Sequence, residues 1–215
     1  MRRFLLINLY LSSFFALLFI SCSPASGHKL LRTAVITEND VHPIVNKTNA
    51  LLYKAKIDVF NKHYSGLIVL KQLDKENSRL AFVTEIGMKM FEFEIRDTVF
   101  NLVYMFEPLN KPKIIQLLKD DMKLILLHQL INKEASVYQK KENIVYKVDQ
   151  KFRYYYVLND HSKNVRKTLK KGSLFTKVKV NYFYNDSLNA RLIRLKHKGL
   201  IRLKIELNNL NKTQP

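Results

Sequence analysis

Lys113-Ile114-Ile115-Gln116-Leu117-Leu118-Lys119-Asp120-Asp121-Met122-Lys123-Leu124-Ile125-Leu126 is where the chain changes its rhythm. Ile114, Leu117, Leu118, Met122, Ile125 and Leu126 recur at the three-and-four spacing of one helical stripe. Asp120, Asp121 and Lys123 fall off that stripe and read as a solvated face. The pattern predicts a helix from 113 to about 131, set off by Pro108 and Pro112. On both sides of it the period is two. Tyr53, Ala55, Ile57 and Val59 alternate with Lys54, Lys56 and Asp58, the signature of a half-buried strand. Turns at 61–64 and 74–77 lead into strands at 66–73 and 79–84. Ile86-Gly87 then turns the chain into 89–95, where Phe91, Phe93 and Ile95 share a face, and 98–106 completes a meander. Beyond the helix, strands are expected at 136–141, 143–148, 152–158, 174–184, 190–197 and 200–207, with a long basic loop at 159–172. A short helix at 41–51 is expected behind Asn39 or Asp40 as its cap.

Sequential short strands interrupted once by a helix imply a mainly β fold with α. The architecture expected is an open, strongly curved antiparallel half-barrel, covered by the long helix and one or two short ones. A closed barrel has no need of such a helix, whereas an open sheet has an apolar concave face that must be covered.

The chain carries 37 Lys and Arg against 18 Asp and Glu, a net charge of +19. The excess is concentrated late. From Ala135 onward nineteen Lys or Arg face five acids, Glu142, Asp149, Asp160, Asp186 and Glu206. Such a face suits anionic headgroups or lipopolysaccharide, or is simply a solvated lysine surface. The start of the chain decides against nucleic acid, which an exported, anchored protein seldom meets. Arg2 and Arg3 precede an apolar run from 4 to 20, which ends in Ser21 and Cys22, the one cysteine.

This segment resembles a bacterial lipoprotein signal, with Phe19 where that family usually has leucine. The resemblance implies cleavage before Cys22 and a diacylglycerol on its thiol. Ser23 follows where an aspartate would signal retention in the inner membrane. The implied location is the outer membrane, lipid-anchored, facing the periplasm. The organisation expected is a signal at 1–21, a lipidated N-terminus and flexible tether at 22–40, a single domain at 41–210 and a tail at 211–215.

Between Tyr53 and Leu126 the chain is similar to the LolA/LolB superfamily of lipoprotein carriers and receptors. The features that carry the likeness are the opening Tyr53-Lys54-Ala55-Lys56-Ile57, the Ser65-Gly66-Leu67 start of the next strand, and Arg79 to Thr84 running through Glu85-Ile86-Gly87 into Met90 to Ile95. In the receptor branch a Pro-Leu-Gly-like turn presents a leucine that enters the membrane. Here Glu85 replaces the proline, so the resemblance gives Ile86, with Gly87, the membrane-insertion role. It further implies a cavity for the acyl chains of lipoproteins, a periplasmic carrier as partner, and a monomer. Ile57, Val59, Phe82, Phe91, Phe93 and Tyr104 from strands, with Leu118, Met122 and Ile125 from the helix, are the candidate lining. Their other reading is a filled core, and strand parity decides which residues face inward.

No catalytic constellation is visible. The six histidines show no paired metal-ligand spacing, and no phosphate loop, nucleophile elbow or cofactor motif occurs. The sequence reads as a non-enzymatic lipoprotein handling lipidated proteins. A structural or assembly lipoprotein docked to an envelope complex is its alternative, and a glycolipid- or lipopolysaccharide-binding lipoprotein a third.

Overall fold

The computed structural model describes residues 23–211 apart from 43, 45–49, 60, 75–76, 97–98, 186–188 and 200. Cys22 and most of the expected helix at 41–51 lie outside the described residues. Five strands form the first meander: β2 (Leu51–Val59), β3 (Lys62–Gln72), β4 (Asn77–Thr84), β5 (Lys89–Arg96) and β6 (Val99–Met105). A 3-10 turn at Glu107–Leu109 leads into α1 (Pro112–Ile125). Seven strands follow: β7 (Lys133–Lys140), β8 (Asn143–Asp149), β9 (Arg153–Asn159), β10 (Val165–Lys171), β11 (Thr176–Phe183), β12 (Leu192–His197) and β13 (Leu203–Asn209). One strand, β1 (Lys29–Ile36), precedes them all and pairs with β7. All thirteen form one antiparallel sheet in the order β1-β7-β8-β9-β10-β11-β12-β13-β2-β3-β4-β5-β6. The sheet is open, with β1 and β6 at its edges.

Period-two patterning works as expected in β2, where Leu51, Tyr53, Ala55, Ile57 and Val59 are buried and Lys54, Lys56 and Asp58 exposed. Leu51 thus opens a strand rather than closing a helix. Two strands escape the sequence pattern. β1 falls within the expected tether, because only Ile36 of it is buried and an exposed edge strand shows no alternation. β10 replaces part of the expected basic loop. Its buried residues are Val165, Thr168 and Lys171, a spacing of three produced by register irregularities against β9 and against β11.

α1 ends earlier than its apolar run. His128 N–H bonds Lys123 O at 3.0 Å and Leu127 N–H bonds Leu124 O at 3.4 Å, the two bonds of a Schellman cap. Leu127 takes the left-handed position, φ 62°, that glycine normally fills. That conformation costs about 1–2 kcal/mol for a side-chain-bearing residue. Leu127 is fully buried, which stabilises by about 1.5–3 kcal/mol and outweighs the strain.

Candidate functional site

The β4–β5 connection is built by its own backbone. Gly87 N–H bonds Thr84 O and Thr84 N–H bonds Met88 O, both at 2.9 Å, and Met88 N–H reaches Thr84 Oγ1 at 3.1 Å. Gly87 sits at φ 83°, and a Cβ there would meet nothing within 4 Å, so the backbone angle alone calls for glycine. The turn leaves Ile86 at its tip, 87% exposed, beside a partly exposed Met88. Glu85 meets Lys54 at 3.7 Å in an exposed pair that holds the turn only weakly.

Beneath lies one continuous core. Ile57, Val59, Phe82, Phe91, Phe93, Leu118, Met122 and Ile125 are all buried in it together. Phe82, Phe91, Phe93 and Phe100 pass from ring to ring across β4, β5 and β6 at 5.4–6.1 Å between centroids. Tyr104 does not join them. It is 41% exposed, with Lys89 Nζ 5.8 Å from its ring. Counting by two from Phe100 would bring Tyr104 inside, but a bulge shifts the pairing from Phe93↔Leu102 to Glu92↔Tyr104 and reverses the parity.

Among the described residues the interior is closely packed. Two small voids lie under α1, of ≈ 20 and ≈ 10 Å³, the larger bounded by Ile57, Phe82, Phe91, Ile114, Leu117 and Leu203. Either holds one water at most, whereas a bound small molecule needs about 300 Å³ or more.

α1 is fixed unevenly. Asp121, expected on a solvated face, is 2% exposed and accepts from His197 Nε2 at 2.8 and 2.9 Å. Burial pushes its carboxyl upward and the His197 bond partly offsets this. Tyr182 Oη donates to the carbonyls of Leu124 and Ile125 at 3.1 and 3.2 Å, and Lys170 meets Asp120 at 3.2 Å. The first two turns have no such tie among the described residues. Their Ile114, Ile115 and Leu117 are only half buried, and Lys111 at the N-cap makes no side-chain bond. The Asp121–His197 pair escaped the sequence reading because its members stand 76 positions apart. A helical wheel that places an acid at the stripe's margin is the only signal it leaves.

Among the described residues no three His, Cys, Asp or Glu side chains are grouped to hold a metal ion. No helix among them is long and apolar enough to cross a membrane.

No protein-family model matches the chain, and no curated protein matches it significantly. Solved structures do. A LolA superfamily protein from Nitrosomonas europaea superposes with a TM-score of 0.50 at 8% identity, covering 85% of this chain and 96% of its own. An outer membrane lipoprotein-sorting protein domain from Vibrio parahaemolyticus gives 0.43 at 7% identity, over 81% and 87% of the two chains. A DUF1329 family protein from Desulfovibrio piger gives 0.41 at 8%, over 77% and 85%. The likeness to the Nitrosomonas europaea protein is one of fold.

Proposed function

We propose that the protein is an outer-membrane lipoprotein, anchored through Cys22 on the periplasmic face, that receives or handles lipidated proteins. A tether of fewer residues than 22–40 carries the body, since β1 begins at Lys29. The observation that supports this best is Ile86, a large β-branched residue held almost fully in water by a turn that leaves it no core to enter. A membrane supplies the apolar medium that it lacks, as for the leucine of the similar receptors.

The acyl site is then the void under the first turns of α1. We read the filled interior as a closed state, which opens when the untied N-terminal half of α1 lifts about a hinge at Asp121 and Tyr182. A half-barrel curvature belongs to this reading. Residues of α1 or its cap reach Phe100 on β6, Lys170 on β10, Tyr182 on β11 and His197 on β12. In a flat sheet β10 and β6 would lie about 38 Å apart, well beyond the reach of one helix. The protein acts as a monomer and takes its cargo from a periplasmic carrier.

In the test, the purified protein is offered a lipoprotein on a loaded carrier. It takes the lipoprotein over, and Ile86→Glu takes it over equally but releases it poorly into vesicles. No takeover rejects the reading. The filled core favours one other function, a structural or assembly lipoprotein docked to an envelope complex. That function predicts stable co-purification of a protein partner and no acyl-chain binding.

A further inference from the structure

An open groove of ≈ 660 Å³ lies at the tips of the β2–β3 and β12–β13 hairpins. Lys62, Lys196, Lys198, Arg202 and Lys204 line it. Its one acid is Asp58, already engaged by His63 Nδ1 at 2.6 Å. None of the five cations pairs with a carboxylate among the described residues. The strand register explains why. Lys179, Lys196 and Lys204 stand directly opposite one another on β11, β12 and β13, and the row meets no acid until Asp58 on β2. Like charges opposed across strands destabilise a sheet. The next row on the same face avoids this, with Arg194 bonded to Glu206 at 2.8 Å and Lys56 opposite that glutamate. Burial, then Lys167 and Lys198, hold Lys179 below the usual lysine range. The lysine row is a local charge conflict of the kind an anionic ligand relieves.

Antiparallel alternation fixes what lies beside it. The β2–β3, β4–β5, β10–β11 and β12–β13 turns all fall at the same end of the sheet. That end exposes Ile86 (87%), Phe175 (79%), Leu174 (57%) and Ile201 (41%), the last inside the groove wall. A soluble polyanion would leave these side chains in water. A bilayer presents phosphates and an apolar layer together.

We propose that the groove seats the phosphate headgroups of anionic membrane lipids, so that the sheet docks by this end and Ile86 enters the acyl layer. The proposal rests on the reading of Ile86 as a membrane contact, and it adds the lipid class. Lys and Arg at an anionic surface each contribute to binding, and the contribution fades with salt.

The chain has no tryptophan, so Ile86→Trp is a clean reporter. The full chain carrying it is reconstituted in phosphatidylcholine vesicles with or without phosphatidylglycerol, and its quenching by brominated acyl chains is measured. Phosphatidylglycerol should raise the inserted fraction, and Lys198→Glu with Arg202→Glu should cut the inserted-to-free ratio about tenfold. Lys71→Glu with Arg166→Glu reverses the same charge at the opposite strand ends and should change it little. Equal insertion in both vesicles, or equal loss in the two double variants, overturns the headgroup seat while leaving the Ile86 reading intact. Absence of quenching in either vesicle overturns both.

Discussion

His197→Leu should destabilise the protein by about 3–5 kcal/mol, because it strands a buried acid. Asp121 is 2% exposed, and the Nε2 of His197 is the partner that both its oxygens share. Lys170, whose charge also acts on Asp121, is paired with Asp120 at 3.2 Å. For a chain of this size the loss corresponds to roughly 6–20 °C in Tm. Replacing both residues, Asp121→Leu with His197→Leu, removes the stranded charge along with its partner. That double variant should fall within about 1 kcal/mol of wild type, or above it. Urea unfolding followed by tyrosine fluorescence and far-UV circular dichroism measures all three. The pH dependence of the single variant is a second check. Burial raises the Asp121 carboxyl, and without His197 only the charge of Lys170 still pulls it down. The folded state then keeps a proton that the unfolded state releases near pH 4, so stability falls as pH rises from about 4 toward the raised folded value. The deficit should be small in acid and grow as pH rises. A single variant as stable as the double at pH 7 would refute the latch.

The phenols of Tyr156 and Tyr182 should respond oppositely to deletion. Tyr156 Oη is buried without a hydrogen-bond partner among the described residues, so Tyr156→Phe should leave stability unchanged or raise it by up to about 1 kcal/mol, whereas Tyr182→Phe removes the side-chain donor to the Leu124 and Ile125 carbonyls and should lose about 1–2 kcal/mol, both read from urea midpoints. Gly66→Ala should destabilise by at least about 3 kcal/mol, since its Cβ would stand 2.0 Å from Val83 O in a buried ladder; a loss under about 1 kcal/mol would show that β3 and β4 separate easily. Lys89 at 2.6 Å, aided by Arg79 at 2.9 Å, holds the Glu92 carboxyl below its usual range. That stability is complete above the unfolded pKa and is lost as pH falls through the lowered one, so Glu92→Gln should flatten the acid limb of a stability-versus-pH curve.

Alternation made β2 to β4 readable, because one face of each is buried and the other wetter, and β5 was readable from Phe91, Phe93 and Ile95 on one face although Met90 and Glu92 are buried as well. Proline at the entry and a clean apolar stripe did the same for the start of α1. Its end was hidden, since Leu127 occupies a position where the sequence habit is glycine. β1 and β10 were hidden for opposite reasons: one buries almost nothing, and the other is broken by bulges. Ile86 was legible as an exposed turn residue. The state of the interior was not, because the same apolar residues line a hollow or fill a core, and only packing distinguishes them. The basic groove was equally invisible, since Lys62 and Arg202 meet only through the pairing of β2 with β13.

That pairing runs from Leu203↔Val59 to Asn209↔Tyr53 and splices the two meanders into one sheet. Vectorial synthesis delivers β2 long before β13, so an interior strand of the finished protein begins life as a bare margin. Until the last strand arrives, the nascent half offers a ready template to any passing extended segment. Assembly should therefore be slow and late, governed by a contact that closes some 150 residues of chain. A cell making this protein has reason to keep it unfolded until its final strand is out.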